Sequence, residues 1–266
     1  MWIGLLGPLD IIITTTGQRA YLSAAKQRAA LAALAVDARD VVPVDALAVA
    51  IWNHEIPPSW RTTIRNYIKR LRTALGTDGS RIVTRPSGYL LQAGDDEIDV
   101  LAFQSLRKVG LTAARQGDWA RASAKFSDAE ALWRGTPFAD IESPGIRDAH
   151  LPYLRETLLA VLEARIDADL RLWPSRAADV IPELQRLTSH HPERERLWWQ
   201  LMLALYRCGR QTDALAAFRA ARKFCVGELG IEPGHNLTDL QQRIIIADPE
   251  LLDHTRRQSR EQVVAW

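Results

Sequence analysis

The sequence predicts a mainly α-helical fold with a small β component, divided into two parts. Three observations predict it. Short strand-like segments lie before residue 23 and between residues 81 and 91, and the rest of the chain is dominated by helical periodicity. The spacing Gly-x4-Ala-x3-Phe-x2-Ala occurs twice, at Gly117, Ala122, Phe126, Ala129 and at Gly209, Ala214, Phe218, Ala221. Charge also divides the chain. Residues 1–92 hold 11 Lys and Arg against 6 Asp and Glu, whereas residues 93–266 hold 23 against 26. The first part suits a polyanion, the second suits protein or solvent.

The 266 residues, 47% apolar and 25% charged, are enough for two cores. No apolar run approaches the roughly 18–20 residues that span a bilayer. The opening MWIGLLGPLDIIITTTG lacks the basic start and small-residue cleavage site of a signal peptide, so it reads as strand. Cys208 and Cys225 are too few for a disulfide framework, which points to a reduced, cytoplasmic setting.

Taken in order, Trp2–Gly7 and Leu9–Thr15 alternate as strands, with a turn at Gly17 and a short return through Ala20, Tyr21 and Leu22. Ser23 is placed to cap a helix running through Lys26 to Val36. Pro43 suits the first turn of a second helix, Val44 to Trp52. A loop, Asn53 to Pro58, leads to a third helix, Trp60 to Leu75. Arg81 to Arg85 and Tyr89 to Leu91 then flank the turn Pro86-Ser87-Gly88 as a β-hairpin.

The third helix is the most informative stretch. Ile64, Ile68, Leu71 and Leu75 form one apolar face. The opposite face carries Thr62, Asn66, Lys69, Arg70 and Thr73, flanked by Arg61, Arg65 and Arg72, with no acidic residue. Arg and Lys can bond guanine, Asn can bond adenine, and the surplus charge can neutralise phosphate. On an isolated helix the same pattern more often describes a solvated basic face. The context favours double-stranded DNA: strands, three helices with the basic one third, and a hairpin tipped by Arg85 make a winged helix-turn-helix over residues 1–93.

Gly94 to Asp99 is short and acidic and reads as a junction. Residues 99–250 read as an all-α, tetratricopeptide-like array of helical hairpins, in which Gly closes the turn, Ala allows close approach and Phe fills the gap. Pro192, Trp198 and Leu201 fit the same pattern, and Val180, Leu184 and Leu187 mark a weaker copy. Trp119, Trp133, Trp173, Trp198 and Trp199 stand at positions that suit core packing between helices, ahead of a concave binding surface. Residues 251–266 read as a basic, flexible tail around Arg256, Arg257 and Arg260.

Catalytic and cofactor motifs are missing from the sequence. His190 and His191 are adjacent before Pro192, as at a helix end rather than in a metal pair. Phosphate-cradling glycine loops and Gly-x-Ser-x-Gly do not occur. Asp95-Asp96 and Asp167 with Asp169 read as solvated charges on a linker and a helix edge. The expectation is a non-enzyme without cofactor or metal.

Over residues 3–250 the sequence resembles the Streptomyces antibiotic regulatory proteins, which join an OmpR-type winged helix to a bacterial transcriptional activation domain. The resemblance rests on Gly4-Leu-Leu-Gly7-Pro8-Leu9, Lys26-Gln27-Arg28, the helix Thr63 to Leu75, and the hairpin Arg81 to Leu91. It continues in His191 to Trp198, Tyr206 to Leu215 and Glu228 to Gly234. It implies an activator of a secondary-metabolite gene cluster, binding promoter direct repeats as a homodimer and recruiting RNA polymerase through contacts that include its sigma factor. Base and phosphate contacts map onto Asn66, Tyr67, Lys69, Arg70, Arg72 and Arg85, with Asn66 and Tyr67 departing from most relatives. The expected division gives bases to Lys69 and Arg70, with Asn66 and Thr62 nearby. Phosphates go to Arg65, Arg72, Lys26 and Arg61, and the minor groove to Arg85. The loop Asn53 to Pro58 is the candidate polymerase contact. The length leaves no room for a receiver domain, so control by phosphoryl transfer to one is not expected. A repressor sharing the same DNA-binding half, or a helical scaffold whose basic helix meets an acidic protein, are the rival readings.

Overall fold

The computed structural model describes residues 1–53, 55–172 and 177–252. His54, Trp173 and the tail from residue 253 onward, all invoked above, lie outside the described residues. Contacts divide the chain into two compact units. One is Met1–Gly110 with Lys125–Val161, and the other is Leu111–Ala124 with the described residues from Leu162 onward.

The first unit opens with β1 (Trp2–Gly4) and β2 (Asp10–Ile12), paired antiparallel with Ile3 opposite Ile11. Helix α1 (Ala25–Val36) follows, then β3 (Val41–Pro43), α2 (Val44–Trp52) and α3 (Trp60–Ala74). A 3-10 turn (Gly76–Arg81) leads into β4 (Ile82–Arg85) and β5 (Gly88–Leu91). Leu31 and Leu34 of α1, Leu47 and Ile51 of α2, and Ile64, Ile68 and Leu71 of α3 are buried together with Ile82 and Leu91. Each contributes about 1.5–3 kcal/mol by leaving water, and jointly they fix which face of α3 turns outward.

Several local expectations are corrected. The predicted return strand Ala20 to Leu22 reduces to a single bridge between Ile12 and Arg19. Ser23 does not cap α1: the N-cap is Ala24, without a side-chain bond. Instead Arg28 Nη1 donates to the Leu22 and Ser23 carbonyls, each at 3.1 Å, and ties down the lead-in. Pro43 is the N-cap of α2 rather than its first residue, because its extended backbone (φ −59°, ψ 147°) ends β3. That strand makes the wing three-stranded, in the order β3-β5-β4. Pro43 sits opposite Gly88, where an added Cβ would lie 1.9 Å from the Val42 carbonyl oxygen, so only glycine lets the two backbones meet.

The acidic junction is also not a free linker. Ile98 forms a parallel bridge with Ile3 and is fully buried, as is Asp99. The Asp99 carboxylate accepts the Leu5 and Leu6 N–H groups at 2.8 Å and lies 3.2 Å from Arg134 Nη2. Burial pushes its carboxyl above the usual range against the pull of those donors. Asp95 pairs with Arg39 at 2.6 Å.

The remaining helices are α4 (Asp99–Arg115), α5 (Trp119–Ala131), α6 (Pro144–Leu172), α7 (Ala177–His190), α8 (Glu195–Arg207), α9 (Gln211–Phe224) and α10 (His235–Ile245). The repeated spacing has a structural counterpart in the turns of the second unit. Gly117 (φ 74°) closes α4–α5 and Gly209 (φ 73°) closes α8–α9. In both, the glycine N–H donates three residues back and the next N–H donates five back: to Ala114 and Ala113, and to Tyr206 and Leu205. This is the Schellman closure, which needs a left-handed residue that glycine adopts without steric cost. Ala122, Phe126, Ala129, Ala214, Phe218 and Ala221 are all buried.

Two further readings change. Asp167 and Asp169 are largely buried and paired, Asp167 with Arg171 and Arg196, Asp169 with Arg165 and the Ser123 hydroxyl. The described tryptophans of this half are half-buried rather than core. Trp133 meets Phe103 edge-on at 5.4 Å, Trp119 and Trp199 lie under Arg171 and Arg196, and Trp198 Nε1 donates to the Pro192 carbonyl.

Candidate nucleic-acid interface

The interface residues all lie in the first unit, on α1–α3 and the wing. Helix α3 buries Ile64, Ile68 and Leu71 against the core, so its periodicity places Thr62, Arg65, Asn66, Lys69, Arg70 and Thr73 outward. All six are exposed, and successive members three and four apart stand side by side. The Thr73 hydroxyl donates to the Lys69 carbonyl of its own helix at 3.1 Å. There is no acidic residue in the first turn of α3, so the positive end of the helix is left uncompensated by side chains of that turn.

Other predicted site residues are committed to holding α3 in place. Lys26 Nζ donates to the Ile51 carbonyl at 2.8 Å, in the last turn of α2 where a cation suits the dipole. Tyr67 is half-buried and stacks on Trp52 of α2, with centroids 6.0 Å apart and planes at 27°. Arg61 lies over the Trp60 ring and 3.4 Å from Asp45, both on the exposed surface. Arg72 turns toward the wing, donating from Nε and Nη2 to the Ile82 carbonyl at 3.0 and 2.6 Å, and from Nη2 to Thr84 Oγ1 at 2.9 Å. Arg85 is exposed beside the two-residue tip Pro86-Ser87.

The eleven cations of residues 1–92 therefore fall into three groups. Arg19, Arg28, Arg39, Arg61 and Arg81 each face a carboxylate. Lys26 and Arg72 hold backbone carbonyls. Among the described residues Arg65, Lys69, Arg70 and Arg85 have no such partner, and they are three neighbours on α3 and the tip of the wing. Sequence reasoning missed Trp52 and Thr84, the partners of Tyr67 and Arg72. An aromatic at the end of α2 was a visible hint, whereas nothing in the sequence marked Thr84.

Residues 98–245 match the family described as the bacterial transcriptional activator domain. Residues 17–91 match the one described as the C-terminal domain of transcriptional regulatory proteins. Regulatory protein DnrI of Streptomyces peucetius is 40% identical over 258 residues, covering 94% of this chain and 93% of that protein. The chain belongs to the Streptomyces antibiotic regulatory protein family. Regulatory protein AfsR of Streptomyces coelicolor is 35% identical over 251 residues, which are 94% of this chain but 25% of AfsR. A solved structure, Mycobacterium tuberculosis EmbR in complex with a low affinity phosphopeptide, is similar in fold with a TM-score of 0.87 and 35% identity. That likeness covers 93% of this chain and 65% of the EmbR chain. The chain thus spans nearly all of DnrI and less than two thirds of EmbR. Family members are transcriptional regulators rather than enzymes, and this chain carries the family's activator domain.

Proposed function

We propose that this regulator binds duplex DNA by laying α3 in the major groove, with Arg85 of the wing in the neighbouring minor groove. The observation that carries this reading is the isolation of four unpartnered cations on one helix face and one wing tip, while the other seven cations of the same region are engaged internally. Lys69, Arg70 and Asn66 face bases, with Thr62 and Thr73 beside them, and Arg65 holds phosphate. Arg61 adds a peripheral phosphate contact once it leaves Asp45. Lys26, Tyr67 and Arg72 orient the reading elements from behind.

Residues 1–93 supply DNA binding, and residues 99–250 supply activation of a secondary-metabolite gene cluster in the cytoplasm. Two protomers occupy adjacent direct repeats about one helical turn apart and recruit RNA polymerase, including its sigma factor. Four free cations, with Arg61 as a fifth, bound the electrostatic term: log affinity falls with log salt with a slope of about 2 to 5 per protomer. The test is binding of the full chain to a duplex recovered by selection from a random library, with a scrambled duplex as control. Arg70→Ala removes about 10- to 100-fold of discrimination, the size of one lost bidentate base contact. Arg65→Ala weakens both duplexes equally and lowers the salt slope by about one. If Arg70→Ala discriminates as the parent does and Arg65→Ala leaves both affinities unchanged, α3 is not the reading helix. Transcription in vitro from the bound promoter separates activation from repression by the direction of the change in output.

A further inference from the structure

Strand β4 is the open edge of the wing sheet, because the strand order is β3-β5-β4. Across the hairpin, Gln92 N–H donates to the Arg81 carbonyl, and Ile82 stands opposite Leu91. In an antiparallel ladder the bonded positions alternate, so the next carbonyl, that of Ile82, points away from β5 to the open edge. Among the described residues no strand pairs with it. Arg72 of α3 reaches it, with two N–H groups on the Ile82 carbonyl and a third bond to the Thr84 hydroxyl two residues on. The guanidinium stands where a neighbouring strand would stand, and it satisfies the edge that would otherwise be left to water.

We propose that Arg72 is a positioning residue that fixes the pitch of the wing relative to α3, so that the major-groove face and Arg85 dock as one rigid body. The inference rests on the DNA-binding reading above and changes how specificity is built. A planar fork with fixed donor directions restrains two points of β4 at once, which a lysine ammonium does not. Arg72 acts on DNA through Arg85, and it is the rigidity of the helix–wing pair that rejects sites whose two grooves are wrongly offset.

Two measurements on the full-length chain test this. In the DNA-free protein, Arg72→Ala raises amide exchange in residues 82–91 by about 10-fold while residues 64–71 of α3 keep wild-type protection, a local opening rather than a global one. On the selected duplex, Arg72→Ala and Arg85→Ala each weaken binding, and the double variant is within about 2-fold of the weaker single, whereas Arg65→Ala multiplies with Arg72→Ala. Arg72→Lys retains less than half of the effect. Unchanged wing exchange, or effects of Arg72→Ala and Arg85→Ala that multiply, overturns the proposal and makes Arg72 a contact in its own right. Should Arg72→Ala fail to fold, Thr84→Ala removes only the outer bond and carries the same two readouts, with wild-type exchange and unaltered coupling to Arg85 refuting the latch. A wild-type chain that recovers no duplex defeats the DNA-binding reading, and the exchange measurement then still decides the latch.

Discussion

The bond that integrates the start of the chain is the one between Asp99 and the Leu5 and Leu6 amides. Truncation by Asp99→Ala leaves those two amides, in residues with no exposed surface, without their acceptor. Each buried donor without an acceptor costs about 1–2 kcal/mol. Arg134 is 31% exposed and recovers water, so loss of the ion pair adds no more than about 1 kcal/mol. The expected total is about 3–4 kcal/mol, a fall in urea midpoint of about 1–2 M for a unit of this size. Asp99→Asn keeps one acceptor oxygen and loses about half of that, and Arg134→Ala loses about 1 kcal/mol. Urea unfolding, paired with exchange of the Ile3, Leu5 and Leu6 amides, measures the effect in the unit concerned. Midpoints of Asp99→Ala within about 0.2 M of the parent would show that water reaches those amides, and that the carboxylate is not what anchors β1.

Two other outcomes follow from geometry and titration. Gly117→Ala and Gly209→Ala each force a Cβ into left-handed backbone and cost about 1–2 kcal/mol, read as lowered melting temperature, with asparagine at either position recovering part of the loss. Wild-type melting of both alanine variants would contradict the left-handed closure. His150 lies 6.5 Å from the Phe138 ring, and burial holds its imidazole below the ordinary 6.5 against a weaker opposing pull from Asp37. The unfolded chain therefore takes the proton first. Stability from this group is complete above pH 6.5 and declines as pH falls toward the depressed folded value. Comparing urea midpoints at two pH values, one above and one below 6.5, for the parent and His150→Gln checks the sign. An equal acid-side decline in both proteins removes His150 as its source.

Periodicity was legible wherever an element was long enough to express it. Helix α3 shows three buried positions in fifteen residues, and its bounds were read to within a residue of Trp60–Ala74. Strand β3, with three residues, has too few positions to alternate and ends on a proline that sequence rules assign to a helix start. The repeat glycines could be matched because left-handed closure tolerates few other residues. Asp99 could not be placed, since a carboxylate accepting distant backbone amides looks like any other acid in an acidic stretch. The candidate site divides the same way. The outward direction of Arg65, Asn66, Lys69 and Arg70 follows from the helix period alone, whereas the inward use of Lys26, Tyr67 and Arg72 depends on partners 10 to 25 residues away in sequence.

Those diverted residues bear on how charge in this chain is interpreted. Arginine is used here as backbone glue in the places where regular structure leaves carbonyls over. Arg28 takes Leu22 and Ser23, Arg39 takes Ala93, Arg72 takes Ile82, and Arg147 takes Phe138 and Ala139. In the second unit Arg207 takes Leu170 and Leu251. A guanidinium can do this because its donors lie in one plane with fixed directions and it keeps its charge when partly buried. Each arginine so used keeps its charge and counts in full toward net charge, but its donors are not available to hold a phosphate. An excess of five positive charges over residues 1–92 therefore overstates how many cations are free to meet a phosphate. What matters in the DNA-binding reading is which cations are left over: Arg65, Lys69 and Arg70, neighbours on α3, and Arg85 at the tip of the wing. A variant that freed Arg28 or Arg39 from its carbonyls would leave the net charge as it is and would not add a free cation, because each would still face its carboxylate, Asp140 or Asp95. Salt dependence of binding should accordingly follow the four free cations and Arg61, by about one unit of slope for each phosphate contact removed, and be indifferent to Arg19, Arg28, Arg39 and Arg81.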